Sequence, residues 1–539
     1  MEINVEKHLE KLYYGQTLEK AKEEFKRLLE DVQIDVDIQK PNEKTSYLIT
    51  YGDSFFSANK NPLQTLKEVV EEKLPNITDV HILPMFPYTS DDGFSVVDYL
   101  TINPDLGEWE DIEDLSQVKK LMFDFVCNHM SKSSEWFKLF LEDDPKFEKA
   151  FIEFDGDFDS SKTTRPRVSP LFHHYQTKRS EKIVWTTFSE DQVDTNVGDP
   201  IMLARLTSVL LEYIKKGASS IRLDAIGFMW KESGTTSMHL EQTHEIIKMW
   251  RTIIDKLAPN MQIITETNVP HKENISYFGN GLDEANMVYQ FPLPPLTLHT
   301  LISGDASKLS QWAKSIEHVS DNATYFNFLA SHDGIGLRPT EGILDDTERQ
   351  VIIDTVLEAG GRASYKKNID GTESVYELNV NYASALGSVE KMLAAHAILL
   401  SFIGVPAIYY HSIFGSKNDE KGLKESGINR RINREKLNKD ILYRELEEDC
   451  FRKDIYTGIS KLLKVRKSQL AFNPYGSQEV IDFGKSIFAL KRTYKNKSIL
   501  ALVNISDKKI VCEQRGLDII TNKEFSGILS PYEYVWLEL

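Results

Sequence analysis

Three carboxylates, Asp224, Glu266 and Asp333, stand inside the strings IRLDAIGF, IITETNVPH and FLASHDGIG. Each follows a short apolar run of β-branched or aromatic residues, which is how a buried parallel strand reads when its C-terminal tip opens into a cleft. Arg222 and Asp224 lie two apart, so on a strand both side chains point the same way and the guanidinium can hold the carboxylate ionised. An ionised, positioned Asp is a nucleophile. Glu266 ends the next strand, where loss of water raises a carboxyl pKa and keeps a proton for a leaving oxygen. Asp333, beside His332, can hold sugar hydroxyls and oppose positive charge developing at an anomeric carbon. Taken singly, the plain readings are a buried ion pair, a strand-end helix cap and a turn before Gly334. Three acids on three strand tips together point to glycosyl transfer. The Asp224 and Glu266 pair fits a retaining double displacement, which asks for carboxyl groups about 5 to 5.5 Å apart.

Acids placed this way need a frame of parallel strands. Strand-like runs recur at 47–52, 80–85, 121–128, 220–226, 262–268, 287–291, 325–333 and 407–412, with helical stretches between them. Eight strands alternating with helices predict an α/β fold, a (β/α)8 TIM barrel. Two gaps exceed the ~15 residues beyond which a loop has a structure or function of its own. One, 130–195, follows the third strand and is expected to form an inserted domain; the other, 334–395, follows Asp333 and the seventh strand. Before the barrel, residues 5–31 carry Leu9, Leu12, Leu18, Ala21, Phe25 and Leu28 near helical spacing, which predicts one or two amphipathic helices. After residue 470 the pattern turns to SIFALKRTY, SILALVNIS and YVWLEL, an antiparallel β-domain. The expected organisation is therefore 1–45 as a helical extension, 46–129 and 196–469 as the barrel, 130–195 and 334–395 as insertions, and 470–539 as the β-domain.

Composition narrows the class. A chain of 539 residues with 41% hydrophobic content can bury a core larger than one barrel requires. Its net charge of −18, with basic residues scattered, is the wrong footprint for a nucleic-acid partner. Cys127, Cys450 and Cys512 form no CxxC pair, so neither a disulfide framework nor a thiolate metal site is expected, and a reducing, cytoplasmic setting fits. No run of eighteen apolar residues occurs and the N-terminal stretch lacks a signal-peptide h-region, so no membrane association is expected.

The strings DFVCNH (124–129), IRLDAIG (221–227), TETNV (265–269) and ASHDG (330–334) resemble the four signature regions of the α-amylase superfamily, glycoside hydrolase family 13. Through SSEWF, RPR, VWTTFSEDQVD, SHDGIG and SALG the chain is further similar to that superfamily's sucrose phosphorylase group. The resemblance implies Asp224 as nucleophile, Glu266 as acid/base and Asp333 as transition-state stabiliser, with His129, Arg222 and His332 binding the sugar. It also implies that Asp91 and Arg430 close on the glucose 4-hydroxyl over an apolar platform at Phe94, with Tyr88 as a second candidate. Related amylases bind calcium through the Asn of the first region, here Asn128; the phosphorylase group works without metal, and no metal or cofactor is expected. Phe86 and Trp136 read either as sugar platforms or as packing.

A phosphorylase differs from a hydrolase in the molecule that meets the covalent glucosyl-enzyme. Phosphate is an anion approaching an acidic protein, so guanidinium groups must focus the field locally. Arg165, Arg167 and Arg338, on the two long loops, are the candidates for phosphate and acceptor binding, against the plain reading of each as a surface arginine. The string FNFLASHDGIGLRPTEGIL departs from sucrose phosphorylases, in which an Asp and a Thr usually precede the His, and resembles the branch that phosphorolyses glucosylglycerate. Glycerate carries a charge that a cation such as Arg338 would bind and neutral fructose does not. Sucrose, sucrose 6-phosphate and glucosylglycerol remain alternative donors, and an amylase-type hydrolase or a catalytically silent carbohydrate-binding protein remain alternative classes. The expected partners are thus a small sugar and inorganic phosphate, with glucose 1-phosphate as product.

Overall fold

In a computed structural model that describes residues 3–178, 180–367, 372–448 and 450–539, eight short strands form a closed barrel. They are β1 (Tyr47–Thr50), β2 (Asp79–Ile82), β3 (Lys120–Phe125), β4 (Ala218–Leu223), β5 (Gln262–Thr265), β6 (Met287–Tyr289), β7 (Thr324–Asn327) and β8 (Val405–Tyr409). The ring order is β1-β8-β7-β6-β5-β4-β3-β2, each strand beside its sequence neighbour. Pairing is parallel from β3 to β4, β4 to β5, β7 to β8 and β8 to β1. In β1, β5, β7 and β8 every residue is buried, the signature of strands covered on both faces, and it is why continuous apolar runs marked them in the sequence. All eight predicted strands are present, but each ends earlier than its apolar string. Asp224 and Glu266 lie one residue past β4 and β5, whereas Asp333 lies well beyond the end of β7 at Asn327.

The chain falls into two compact units, residues 1–40, 81–267 and 276–287, and residues 41–80, 268–275 and 288–539. The first begins with the two expected amphipathic helices, α1 (Glu6–Leu12) and α2 (Gly15–Leu29), whose apolar residues Leu9, Leu12, Ala21 and Phe25 are buried. His8 Nδ1 and Lys11 Nζ of α1 reach the two oxygens of Glu245, at 2.5 and 2.9 Å, on the helix Glu241–Leu257. After β3 the chain forms the strand His129–Ser131, antiparallel to Gln192–Asp194, and a separate hairpin of Phe172–Gln176 with Glu181–Trp185. Between them the helix Glu135–Leu141 starts where Ser134 accepts from the Phe137 N–H, a side-chain N-cap.

In the second unit, Ile335–Gly336, Glu373–Asn379 and Arg362–Lys367 make a three-stranded sheet after β7. The helix Asp346–Glu358 opens on a capping box between Asp345 and Glu348. The C-terminal residues form a six-stranded sheet whose neighbouring strands all pair antiparallel. Ile487, Ala489, Leu500, Leu502, Val535 and Leu537 are part of its core. Two buried arginines hold the turn before β8, Arg492 from this sheet and Arg466 from the end of the helix Phe451–Arg466. Arg466 donates to the carbonyls of Leu400, Gly404 and Phe472, and Arg492 to those of Ser401, Phe402 and Asn473. Burial pulls both guanidinium groups down to about 9. Among the described residues no helix is long and apolar enough to cross a membrane.

Candidate active site

In the first unit the ends of β3, β4 and β5 bring together one guanidinium and three carboxylates. The parallel register sets Arg222 opposite Asp124 and Ile264 opposite Arg222. Arg222 Nη1 bonds Asp124 Oδ1 and lies 2.7 Å from Asp224 Oδ1, while Nη2 is 3.6 Å from Glu266 Oε2. Behind Asp124, His81 Nε2 sits 2.6 Å from Oδ2, with both side chains fully buried. Burial pushes the Asp224 carboxyl well above the usual carboxylate range; Arg222 opposes that, and the charges of Glu266 and Asp124 add to it. One guanidinium is thus divided among three acids, and its pull on the Asp224 carboxyl is outweighed by burial.

Glu266 is also oriented by the backbone. Its Oε2 accepts from the Ala225 N–H at 3.1 Å, and Ala225 is left-handed, with φ of 47°. A non-glycine residue in that region is strained and persists where its surroundings over-determine it. The residue after Asp224 is turned so that its N–H faces the neighbouring acid.

His129 follows β3 in the same unit. Its ring sits 2.9 Å from the Phe94 carbonyl through Nε2 and 3.2 Å from Asn128 Nδ2 through Nδ1, and burial lowers its pKa, so it is a neutral imidazole. Phe94 is buried, with the Arg222 guanidinium 5.7 Å from its ring. Asp91 is exposed and accepts from Gln192 Nε2 at 3.4 Å. Tyr88 is exposed on the same loop. Phe86 stacks on Tyr213 at 5.1 Å, and Trp136 packs on Tyr99 and Phe147; both serve packing. Asn128, whose counterpart binds calcium in related amylases, and Asp194 are each 2.7 Å from the Lys231 ammonium. A divalent cation would meet a buried positive charge there, so these residues do not fit calcium. Among the described residues no group of three or more His, Cys, Asp or Glu could hold a metal ion.

Asp333 belongs to the second unit. Arg430 Nη1 is 2.6 Å from its Oδ1, and His332 Nε2 is 3.5 Å from its Oδ2. Asn433 Nδ2 holds the carbonyls of Ser331 and Asp333, and Arg434 Nε that of His332, which fixes the turn carrying the acid. The remaining side of Arg430 is taken by Glu377, which accepts from Nε at 3.0 Å and Nη2 at 2.7 Å. Sequence reasoning missed Glu377. Its one signal was an acid inside the apolar run SVYELN, and it pairs in register with Gly336, three residues after Asp333.

The three arginines on the long loops differ in what they already hold. Arg165 Nη2 bonds the Ser169 carbonyl within its own loop. Arg167 lies 5.9 Å over the Phe188 ring, which packs 5.1 Å from His129. Arg338, half-buried in the turn Arg338–Thr340, has no side-chain partner among the described residues.

Residues 50–340 match the family model for the α-amylase catalytic domain. The chain is 45% identical over 508 residues to the glucosylglycerate phosphorylase of Allomeiothermus silvanus, covering 92% of this chain and 91% of that protein. It is 45% identical over 516 residues to the glucosylglycerate phosphorylase of Escherichia coli, covering 92% of each. Among solved structures it is similar to sucrose 6F-phosphate phosphorylase from Thermoanaerobacter thermosaccharolyticum, with a TM-score of 0.75, 26% identity, and coverage of 87% of this chain and 95% of that one.

Proposed function

From a chain that belongs to the α-amylase family, we infer a retaining glycoside phosphorylase that converts 2-O-α-glucosyl-D-glycerate and phosphate into α-D-glucose 1-phosphate and D-glycerate. The observation that carries this reading is the pair of acids sharing the Arg222 guanidinium at 2.7 and 3.6 Å, in a chain 45% identical to two glucosylglycerate phosphorylases. Asp224 attacks the anomeric carbon while Glu266 protonates the departing glycerate oxygen, leaving a glucosyl ester on Asp224. A phosphate oxygen then attacks the same carbon, Glu266 takes its proton, and the second inversion restores the α configuration.

Asp333 opposes the charge of the oxocarbenium-like transition state. His129, His332, Arg222, Asp91, Phe94 and Arg430 complete the glucose subsite. For the anion we favour Arg338, because its guanidinium has no partner to give up among the described residues, with Arg167 next and Arg165 last. Residues 130–195 and 334–395 are the insertions that bear these arginines, around a barrel of 46–129 and 196–469, with 1–45 and 470–539 as terminal additions. The free thiols of Cys127, Cys450 and Cys512 suit a reducing compartment and support a cytoplasmic setting.

The decisive experiment supplies glucosylglycerate with and without phosphate. Glucose 1-phosphate formed only with phosphate supports the reading, and free glucose at an equal rate without it means a hydrolase. In the reverse direction, with glucose 1-phosphate as donor, glycerate should be glucosylated in preference to fructose; the opposite order returns the chain to the sucrose phosphorylases.

A further inference from the structure

Asp191 touches none of the three acids, yet its carboxylate gathers hydroxyls from both flanks of the loop that carries Asp91 and Phe94. Oδ2 accepts from Thr89 Oγ1 at 2.6 Å, Ser90 Oγ at 2.5 Å and Ser95 Oγ at 2.7 Å, and Oδ1 from Ser131 Oγ at 3.1 Å. Its main-chain carbonyl accepts from the Lys132 N–H at 2.9 Å and from Ser95 Oγ at 3.1 Å. Residues 88–96 form a narrow finger, closed by a bridge between Tyr88 and Val96 and by the Thr89 N–H on the Ser95 carbonyl at 3.2 Å.

The tip of that finger is strained. Asp91 and Asp92 are consecutive left-handed residues, with φ of 53° and 49°. Gly93 follows at φ of 111°, so close to Pro84 that an added Cβ would lie 2.8 Å from its carbonyl oxygen. L-residues stay left-handed only where their surroundings fix them. Here the fixing comes from outside the finger. Asp191 ties down the residues on either side of the strained tip, and the next residue, Gln192, donates Nε2 to Asp91 Oδ2 at 3.4 Å and to the Phe94 carbonyl at 3.1 Å. Hydroxyl-to-carboxylate bonds are short and strong, which suits one side chain to hold two flanks at once. Burial pushes the Asp191 carboxyl up, but the hydroxyls of Ser90, Thr89, Ser95 and Ser131 outweigh it and leave the pKa lowered. The clamp therefore stays ionised near neutrality.

We propose that Asp191 is the positioning residue of the glucose subsite, holding the 88–96 finger in the strained shape that presents Asp91 and Phe94 to the glucosyl unit. The inference rests on the glucose-binding role given to Asp91 above. Its test is a double-mutant cycle on the full chain, with the KM for glucosylglycerate, glucose 1-phosphate and phosphate measured in D191A, D91A and the double variant. Loss of a charged hydrogen-bond network should raise both glucosyl-donor KM values about 10-fold or more in D191A, leave the phosphate KM unchanged, and do so equally between pH 6.5 and 8 because the clamp does not titrate there (about two units or more above an ordinary Asp).

The double variant should be no worse than D91A alone, since the clamp has nothing left to position. If D191A does not accumulate folded, S90A/S95A removes two of the hydroxyls with the carboxylate intact and should raise the same two KM values. A donor KM that rises in D91A but not in D191A or S90A/S95A, or losses that multiply in the double variant, overturns the inference while leaving the glucose subsite standing. A donor KM unchanged in D91A overturns the subsite assignment and the inference with it.

Discussion

Arg430 Nη1 lies 2.6 Å from Asp333 Oδ1, and the same guanidinium grips Glu377 through Nε and Nη2. Planar bidentate binding of one acid with a donor left for a second is geometry that arginine provides and lysine cannot. R430K should therefore lower kcat/KM about 10- to 100-fold, the loss of one charged hydrogen bond at ~1.5 to 3 kcal/mol. E377Q should lower it by a smaller factor of about 10, because an amide keeps one acceptor. Steady-state kinetics with glucosylglycerate checks both, and R430K at wild-type rate would detach Arg430 from the site.

Asp224→Asn should cost at least about 10⁴-fold in turnover, as loss of a nucleophile does, and should also change stability. Burial raises the Asp224 pKa in the folded chain, so the folded state binds that proton more tightly than the unfolded one. The stabilising share is present below the ordinary carboxylate range and is lost as pH rises through the raised folded value. At neutral pH the ionised acid costs stability that Asn does not. The Tm of D224N should exceed wild type at pH 7, with the gap closing on acidification; a gap that widens in acid contradicts the assignment.

Of the three loop arginines, R338A should raise the KM for phosphate or glycerate, while R165A, whose guanidinium is committed to the Ser169 carbonyl, should leave both unchanged. R338A should weaken glycerate more than glycerol as acceptor, by about 10-fold or more, because only the charged acceptor loses a charged hydrogen bond. Initial rates with the two acceptors at one fixed glucose 1-phosphate concentration separate the cases, and equal loss for both removes Arg338 from the carboxylate role.

Ala225, at φ of 47°, should accept Gly with an unchanged or higher Tm, since a left-handed L-residue costs ~1 to 2 kcal/mol that glycine avoids. A β-branched residue cannot take that backbone shape cheaply. A225V should lower both the Tm, by a few degrees, and kcat, because the Ala225 N–H that holds Glu266 Oε2 at 3.1 Å moves with it. Thermal melts and kcat together test this, and an A225V enzyme of full activity would show that Glu266 does not need the backbone bond.

The barrel was legible because strands buried on both faces leave uninterrupted apolar runs, and Asp224 and Glu266 were legible because each follows such a run directly. Asp333 was found for its neighbours in ASHDG, but its distance from β7 was not, since Phe328 and Leu329 prolong the apolar string past the last strand residue. Glu377, Asp191 and Lys231 were missed for a common reason. Each acts on a residue distant in sequence, Arg430, Ser90 or Asn128, and a lone acid or lysine carries no spacing from which its partner can be read. The DDG string consists of turn-forming residues, but nothing in it shows that two successive aspartates would be left-handed.

His8 and Glu245 meet at 2.5 Å although 237 residues separate them along the chain. At roughly 5 to 20 residues per second, the intervening segment takes a ribosome about 12 to 47 s to make. For that time α1 exists without the helix Glu241–Leu257 against which it packs, whereas α2 meets the helix Pro200–Lys215 sooner. The seat of α1 therefore becomes available at a time set by translation speed rather than by folding rate.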